Sequence, residues 1–440
     1  MKELKQKIDF SLVETLYSAD VVVIGGGCGG LGAAVFAARS GMKVILVEQY
    51  GVPGGMSSMG GVQPFMTSKA HGENLDRPVF EEWQDKIAQY IPENWDGIVL
   101  KRTSLFSAEA AALGAEDLLL ESGVELLYHH TLVAAETKDR KISRVILHSK
   151  NGFVGLEAKM FVDCSGDGDL AAMAGCEFEF GDEDGVCQPL TVSFKLSNVK
   201  LPQPANRLWE DYSEWRQELQ KLFKKGQSEG KISVPRETLL FFSYFENDVL
   251  HFNTTRVLVK NPLNGKELAE AEVTGRKQMR EIVSYLKENS EDFRDAYISD
   301  MSSVIGVRES RRIKGIRYLS VEAFHDCAKF EDAIARCSYP IDKHSGSGKG
   351  TKGALIKPGD FYEIPYGCIV PEAIDNLTIG GRPISVDVYI HASMRIMPCA
   401  CSVGQAAGCA AAEAVKRGVI PAAIDGVEIR NILKNMGANL

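Results

Sequence analysis

The stretch from Asp20 to Glu48, DVVVIGGGCGGLGAAVFAARSGMKVILVE, decides how the chain folds. Asp20–Ile24 is an apolar run of a length that suits a buried parallel strand. It ends in Gly25, Gly26, Gly27, Cys28, Gly29 and Gly30, and an Ala-rich helix is predicted over Leu31–Ser40. Gly41 stops that helix, and Lys43–Glu48 reads as a second buried strand ending on a carboxylate. Together these segments make a βαβ unit. Gly25, Gly27 and Gly30 fit GxGxxG between a predicted strand and a predicted helix, the context that gives the motif meaning. The first glycine permits the tight turn, the second lets backbone approach a pyrophosphate, and the third lets helix pack closely on strand. The amides and dipole at the start of the helix then hold phosphate charge. Glu48 lies roughly 20 residues beyond Gly25, where a carboxylate accepts ribose hydroxyls.

Outward from this unit, composition narrows the class. The 440 residues are 45% hydrophobic and 25% charged, the range of ordinary globular proteins, and the length favours two domains or one with a large insertion. Fifty basic against 59 acidic residues give a formal charge of −9, which offers no electrostatic reason to bind nucleic acid or an anionic membrane. Ten cysteines without zinc-type spacing suggest reduced thiols in a reducing compartment, and no metal-ligand cluster is evident. Met1–Leu16 mixes Lys and Glu, unlike a signal peptide, and no apolar run approaches about 18 residues. A cytoplasmic enzyme is therefore expected. The 42 glycines outnumber the 16 prolines and gather in blocks, which suggests backbone running against a ligand.

Along the chain, Ser107–Glu121 reads as a helix, Val124–Tyr128, Thr131–Glu136 and Ile142–His148 as strands, and Met160–Asp163 as a strand running into Cys164–Asp169. Residues 201–360 are more charged and aromatic, with a hairpin predicted over Leu239–Val257 and an amphipathic helix carrying Leu268, Ala271, Met279, Ile282 and Leu286. His344–Gly353, HSGSGKGTKG, reads as a mobile loop. Its GSGKGT lacks the first glycine of a P-loop and the Ser or Thr after Lys349. GxGxxG alone does not separate NAD from FAD. The second glycine pair, Gly54 and Gly55, favours the longer FAD, and no second GxGxxG unit offers a separate nicotinamide site.

Five blocks then carry a family likeness: residues 20–41 with KVILVEQ, PGGMSS, FVDCSGDGDLAAMAG, GVRESRRIKG, and NLTIGGRPIS followed by MRIMPCACSVGQAAGCAAA. They resemble FAD-dependent oxidoreductases of the glutathione-reductase-like superfamily, and within it the bacterial family related to fumarate reductase and succinate dehydrogenase flavoproteins. The resemblance implies an α/β fold: a Rossmann-like FAD-binding domain, with parallel sheet, helices and β-meander, from residues 1–195 and 361–440, and an inserted α+β substrate or cap domain from 196–360. It implies that Gly25, Gly27, Cys28, Gly29 and Gly30 face the pyrophosphate, with Glu48 and Gln49 at the adenosine ribose. Gly54, Gly55, Met56 and Ser57 would follow the ribityl and flavin path, Val133 would meet the adenine, and Cys164, Ser165, Gly166 and Asp167 would pass near the adenosine half. Gly381 and Arg382 would stand at the ribityl chain of the cofactor, with Arg382 where the superfamily usually has Asp, which puts that one contact in question. Arg395–Pro398, with Met397, would bring backbone amides to the flavin.

Beyond the cofactor, Arg308, Arg311 and Arg312 could clamp a carboxylate or form a salt-bridge network with Glu309. His344 and His391 are candidates for proton transfer, and Arg382 and Arg395 for stabilising reduced flavin. Cys28 reads as a packed thiol, and Cys399 and Cys401 point to different sides of a helix. The expected function is an FAD-dependent oxidoreductase that exchanges a hydride equivalent with a small organic substrate, one with a carboxylate if the arginines clamp it. An FAD protein acting on a macromolecule, as in tRNA modification, or a non-enzymatic FAD subunit passing electrons to a partner are the alternatives. The electron donor or acceptor and any homo-oligomer are left open; nucleic acid and membrane are not expected.

Overall fold

The computed structural model describes residues 9–95, 98–102, 105–202, 213–246, 248–348 and 350–440. Its centre is a seven-stranded sheet: β1 (Thr15–Ile24), β2 (Val44–Val47), β3 (Glu125–Leu127), β4 (Thr131–Lys138), β5 (Lys141–Ser149), β6 (Gly152–Asp163) and β7 (Leu377–Ile379). The strands run in the order β3-β2-β1-β6-β5-β4. β1, β2 and β3 are parallel, while β4, β5 and the start of β6 form an antiparallel meander. β6 changes neighbour along its length, since Phe161–Asp163 leave the meander and pair in parallel with β7. This is the mixed α/β, Rossmann-like architecture expected.

Helix α1 (Cys28–Arg39) begins earlier than the predicted Leu31, with Gly27 as its N-cap. Absence of side chains explains the early start: a Cβ on Gly30 would lie 1.8 Å from the Gly25 oxygen, so only glycine lets the first turn sit against the end of β1. Helix α2 (Ala108–Glu121) starts where the Ser107 side chain accepts from the Ala110 amide. The long helix α3 (Gly265–Asn289) buries Ala271, Met279, Ile282 and Leu286 of its predicted stripe. Near the C-terminus, α4 (Val388–Met394) leads directly into α5 (Met397–Arg417).

α1 and α5 cross with their backbones in contact. A Cβ on Gly32 would lie 2.2 Å from the Cys401 oxygen, one on Gly404 2.0 Å from Gly29 O, and one on Gly408 2.1 Å from Ala33 O. The two ends of the chain are thus packed into one unit by residues with no side chain to separate them. The largest core joins Val21, Phe36 and Leu46 to residues as distant as Tyr362 and Val403, and takes in Ile334, Ala335 and Ile341. A second core, with Phe194, Phe223, Phe241, Phe252, Ile282 and Phe293, lies beneath a four-stranded antiparallel sheet. That sheet pairs Phe241–Ser243, Leu250–Phe252, Phe194–Ser197 and Tyr297–Met301 in order, and its first two strands are the predicted hairpin. We call this part the cap.

The glycine-rich stretch at 344–353 differs from the predicted loop. Ile341–His344 and Thr351–Ala354 pair antiparallel, which draws His344 into a buried strand end; Lys349 lies outside the described residues. Among the described residues no helix is long and apolar enough to cross a membrane. All ten cysteines are buried thiols.

Candidate functional site

Between the glycine-rich ends of the sheet and the cap lies a cavity of about 1160 Å³. Ordinary ligand pockets hold roughly 300–1,000 Å³, so the space accommodates a molecule larger than a simple metabolite. One wall is almost entirely backbone. Gly25 has φ +99°, and a Cβ there would meet the Cys164 oxygen at 2.4 Å, so the β1–α1 turn lies directly against the end of β6. Gly27, Cys28 and Gly29 line the cavity, and no protein acceptor meets their amides among the described residues. Gly55 faces Gly27, and Gly381 faces Gly29; a Cβ added to Gly29 would come within 2.9 Å of Gly381 Cα. The result is a narrow bare-backbone cradle at an uncapped helix N-terminus, which suits an anion.

Glu48 sits at the edge of this cradle, buried. The Gly26 amide donates to its Oε2 at 2.7 Å and the Tyr50 amide to its Oε1 at 2.9 Å. Burial raises its carboxyl above the usual range, opposed by these amides. Each oxygen can accept a further hydrogen bond and Glu48 lines the cavity, which suits ribose hydroxyls. Cys28 Sγ approaches Gly54 O at 3.8 Å, and burial pushes its thiol up to about 12, so it is a packed neutral group. Gln49, Met56, Cys164, Ser165, Gly166 and Asp167 also reach the cavity. Asp167 is held by the Ser310 hydroxyl and by Arg382 Nη2, both at 2.5 Å. Among the described residues Arg382 Nη1 is buried without a hydrogen-bond partner.

At the far end, Arg395, Ile396 and Met397 line the wall where α5 begins. The Arg395 amide is taken by His391 O and Pro398 has no N–H; among the described residues the amides of Ile396, Met397 and Cys399 have no backbone acceptor, and of these residues Ile396 and Met397 line the cavity. Several expected residues stand just behind the surface. Gly30 packs on the strand end, the Gly54 amide donates to Gly26 O while its carbonyl accepts from Ser57, and Pro398 lies in the first turn of α5. Val133 is also off the cavity, although its neighbours Thr131 and Leu132 are on it. It falls at a bulge between the Leu132 and Ala134 pairings, which leaves its main chain out of the ladder.

The cap side is built from charged side chains. Arg308 reaches the cavity and donates from Nη1 to Pro189 O at 2.6 Å. Arg311 and Arg312 do not. Arg311 bonds Asp169 and the Asp167 carbonyl, and Arg312 bonds Glu309 and the Gly181 carbonyl, so these two form the salt-bridge network rather than a clamp. His344 Nδ1 lies 2.9 Å from Thr351 Oγ1 and its Nε2 lies 3.4 Å from Asp342 Oδ2. Burial, with Arg308 and Arg395 nearby, pushes its imidazole down to about 4. Arg395 Nη2 donates to the Asp342 carbonyl at 3.1 Å, and Asp342 is held well below its usual range by His344, Arg395 and Arg308, against the effect of its own burial.

His391 is not brought to the cavity. It is fully buried in α4, neither ring nitrogen has a partner among the described residues, and burial with Arg382, Arg312 and Arg395 around it holds it well below its ordinary pKa. Among the cavity residues with no site expectation from the sequence are Arg236, Asn253 and Asp342. Only Asp342 carried a signal, since two residues separate it from His344 by the strand period, which places both on one face. Nothing in VPRET marks Arg236.

The sequence profile of a family described as FAD dependent oxidoreductase matches residues 20–433, nearly the whole chain. The chain belongs to this family. This oxidoreductase is an enzyme whose cofactor is FAD, and the cradle fits it: bare glycines, open amides at the start of α1 and α5, and a buried carboxylate with spare lone pairs. Gly27 and Gly29 with their helix start would hold its phosphates, and Glu48 a ribose. Among solved structures, a geranylgeranyl bacteriochlorophyll reductase-like protein of Thermoplasma acidophilum is 11% identical with a TM-score of 0.46, over 96% of this chain and 84% of that one. The flavin-dependent brominase Bmp2 is 12% identical at 0.45, over 95% and 83%. The myxobacterial chondrochloren halogenase CndH is 12% identical at 0.43, over 96% and 79%. Among curated proteins none matches the chain.

Proposed function

We propose that this oxidoreductase exchanges a hydride equivalent with a small organic substrate enclosed between the glycine cradle and the cap. One observation carries the reading: a single cavity is lined on one side by Gly27, Gly29 and Gly381 and on the other by Arg308, His344 and Asp342. FAD, when bound, supplies the site that accepts or gives the hydride. The protein's own groups supply charge and proton control. Arg382 and the amides of Ile396 and Met397 put positive potential on the wall where α5 starts, which favours negative charge developing there. His344, pushed down to about 4 by its surroundings, is the neutral imidazole that can accept a proton, with Asp342 3.4 Å from its Nε2 to orient it. Cap residues Arg236, Leu240 and Phe242 line one side of the cavity.

The five sequence blocks support placing the chain in the glutathione-reductase-like superfamily, with its nearest affinity to the fumarate reductase and succinate dehydrogenase flavoproteins. We take residues 1–195 and 361–440 as the FAD-binding part and 196–360 as the insertion, and a small diffusible molecule as the substrate. Photoreduction of the holoenzyme followed by stopped-flow mixing with candidate small molecules tests the reading. Rapid reoxidation by a small organic molecule is expected; reoxidation only by a protein partner would contradict it.

A further inference from the structure

The cap wall is chemically divided. Arg236 is buried and its guanidinium donates from Nη1 to the Asn253 carbonyl at 3.0 Å; Arg308 donates only to Pro189 O. Among the described residues neither has a carboxylate partner. Asp342, the one acid in this group, is already approached by His344 Nε2 and by Arg395, whose Nη2 is 3.7 Å from its Oδ2. Two guanidinium groups therefore face the cavity with Asp342 acting on them only at a distance and no direct ion pair, an arrangement that an anion joining them would relieve. Each stands at one end of an apolar strip. Leu240 and Phe242 follow Arg236, and Val304, Ile305 and Val307 precede Arg308; all line the cavity, and Leu268 of α3 lines it too. Glu272 also reaches this wall, but its oxygens already accept from the Ile305 amide and from Arg276.

We infer that the substrate is an amphiphilic anion, an apolar body carrying a carboxylate or phosphate-type group. Arg236 and Arg308 bind the anionic oxygens, and the body lies along Leu240, Phe242, Leu268 and Val304–Val307. The inference rests on the proposed function and narrows its substrate to a class. A free guanidinium pair alone would suit any anion. The apolar strip next to each arginine excludes small polar dianions, because burying their second charge there would go uncompensated.

The test is a ligand titration of the yellow holoenzyme, read by perturbation of its visible flavin spectrum. Hexanoate, octanoate and decanoate are expected to tighten about fourfold per added methylene. Octanamide should bind at least tenfold more weakly than octanoate, and octyl phosphate at least as tightly as octanoate if the head group is phosphate-type. Arg236→Gln and Arg308→Gln should each weaken octanoate at least tenfold and leave octanamide within twofold, with FAD content unchanged. Equal affinity for octanoate and octanamide, or succinate binding more tightly than octanoate, would overturn the inference while leaving the oxidoreductase reading intact. If a variant loses its flavin, the chain-length and amide series on the unaltered protein decides. A protein that takes up no FAD at all overturns both.

Discussion

The two walls of the cavity are made in opposite ways. The cradle wall uses main chain: Gly25, Gly27 and Gly29 at the start of α1, Gly55 from the following loop, Gly166 after β6, and Gly381 after β7. Its shape depends on side chains being absent. The cap wall uses side chains that carry charge or apolar surface: Arg236, Leu240, Phe242, Arg308, Asp342 and His344, drawn from separate segments. Binding of a common dinucleotide needs a backbone surface that tolerates almost no substitution. Choosing a substrate needs side chains that can be exchanged one at a time without disturbing that surface.

The largest effect should come from closing the cradle from behind. Gly404→Val would place side-chain atoms in the space held by the Gly29 backbone, and an overpacking cost of about 3 kcal/mol is expected together with loss of FAD. Urea unfolding and flavin content check this, and native values for both would break the comparison. Glu48→Ala should rank next. It strands the Gly26 and Tyr50 amides, at about 1–3 kcal/mol for a buried unsatisfied group, and should let FAD escape on dialysis; Glu48→Gln, which keeps an acceptor oxygen, should recover part of both. On the cap side, Arg311→Ala breaks part-buried charged hydrogen bonds and should lower stability by about 1–2 kcal/mol while leaving octanoate affinity unchanged, the reverse of Arg308→Gln.

The smallest effect is in the pH dependence. The buried His344 titrates at about 4, below its ordinary 6.5, so the unfolded chain binds more protons between those values. Stability is therefore expected to fall as pH drops from 7 towards 4, and to be unaffected by this group above 7. His251, pushed down to about 3 by burial and by Lys195, adds a slope of the same sign. His344→Asn should flatten the slope of urea midpoint against pH without abolishing it. An unchanged slope would mean that His344 is solvated and does not face the cavity as described.

Legibility in the sequence follows the same division. The cradle was readable because local order dictates it: a short apolar strand, GxGxxG, a helix, then a strand ending on Glu48. Even its distant part, the GQAAG helix, announced itself by small residues, although only the structure shows that Gly404 and Gly408 fit against Gly29 and Ala33. The start of α1 was placed three residues late, because glycines read as loop when their role in close packing is unseen. The cap wall was mostly silent. Arg236 lies in an unremarkable VPRET and meets Arg308 only through tertiary folding. His344 reads as part of a glycine-rich loop because composition outweighs the strand alternation of IDKH. His391 was singled out for its nearness to Arg395 in sequence, yet the turn of α4 points it into the interior.

A crystal structure of the yellow holoprotein tests the central claim most directly. It should hold one FAD with its phosphates against the amides of Gly27 and Gly29, a ribose at Glu48, and its flavin end towards Arg382 and the start of α5, leaving Arg236 and Arg308 free on the opposite wall. A dinucleotide bound elsewhere, or with its phosphates held by Arg236 and Arg308, would contradict it.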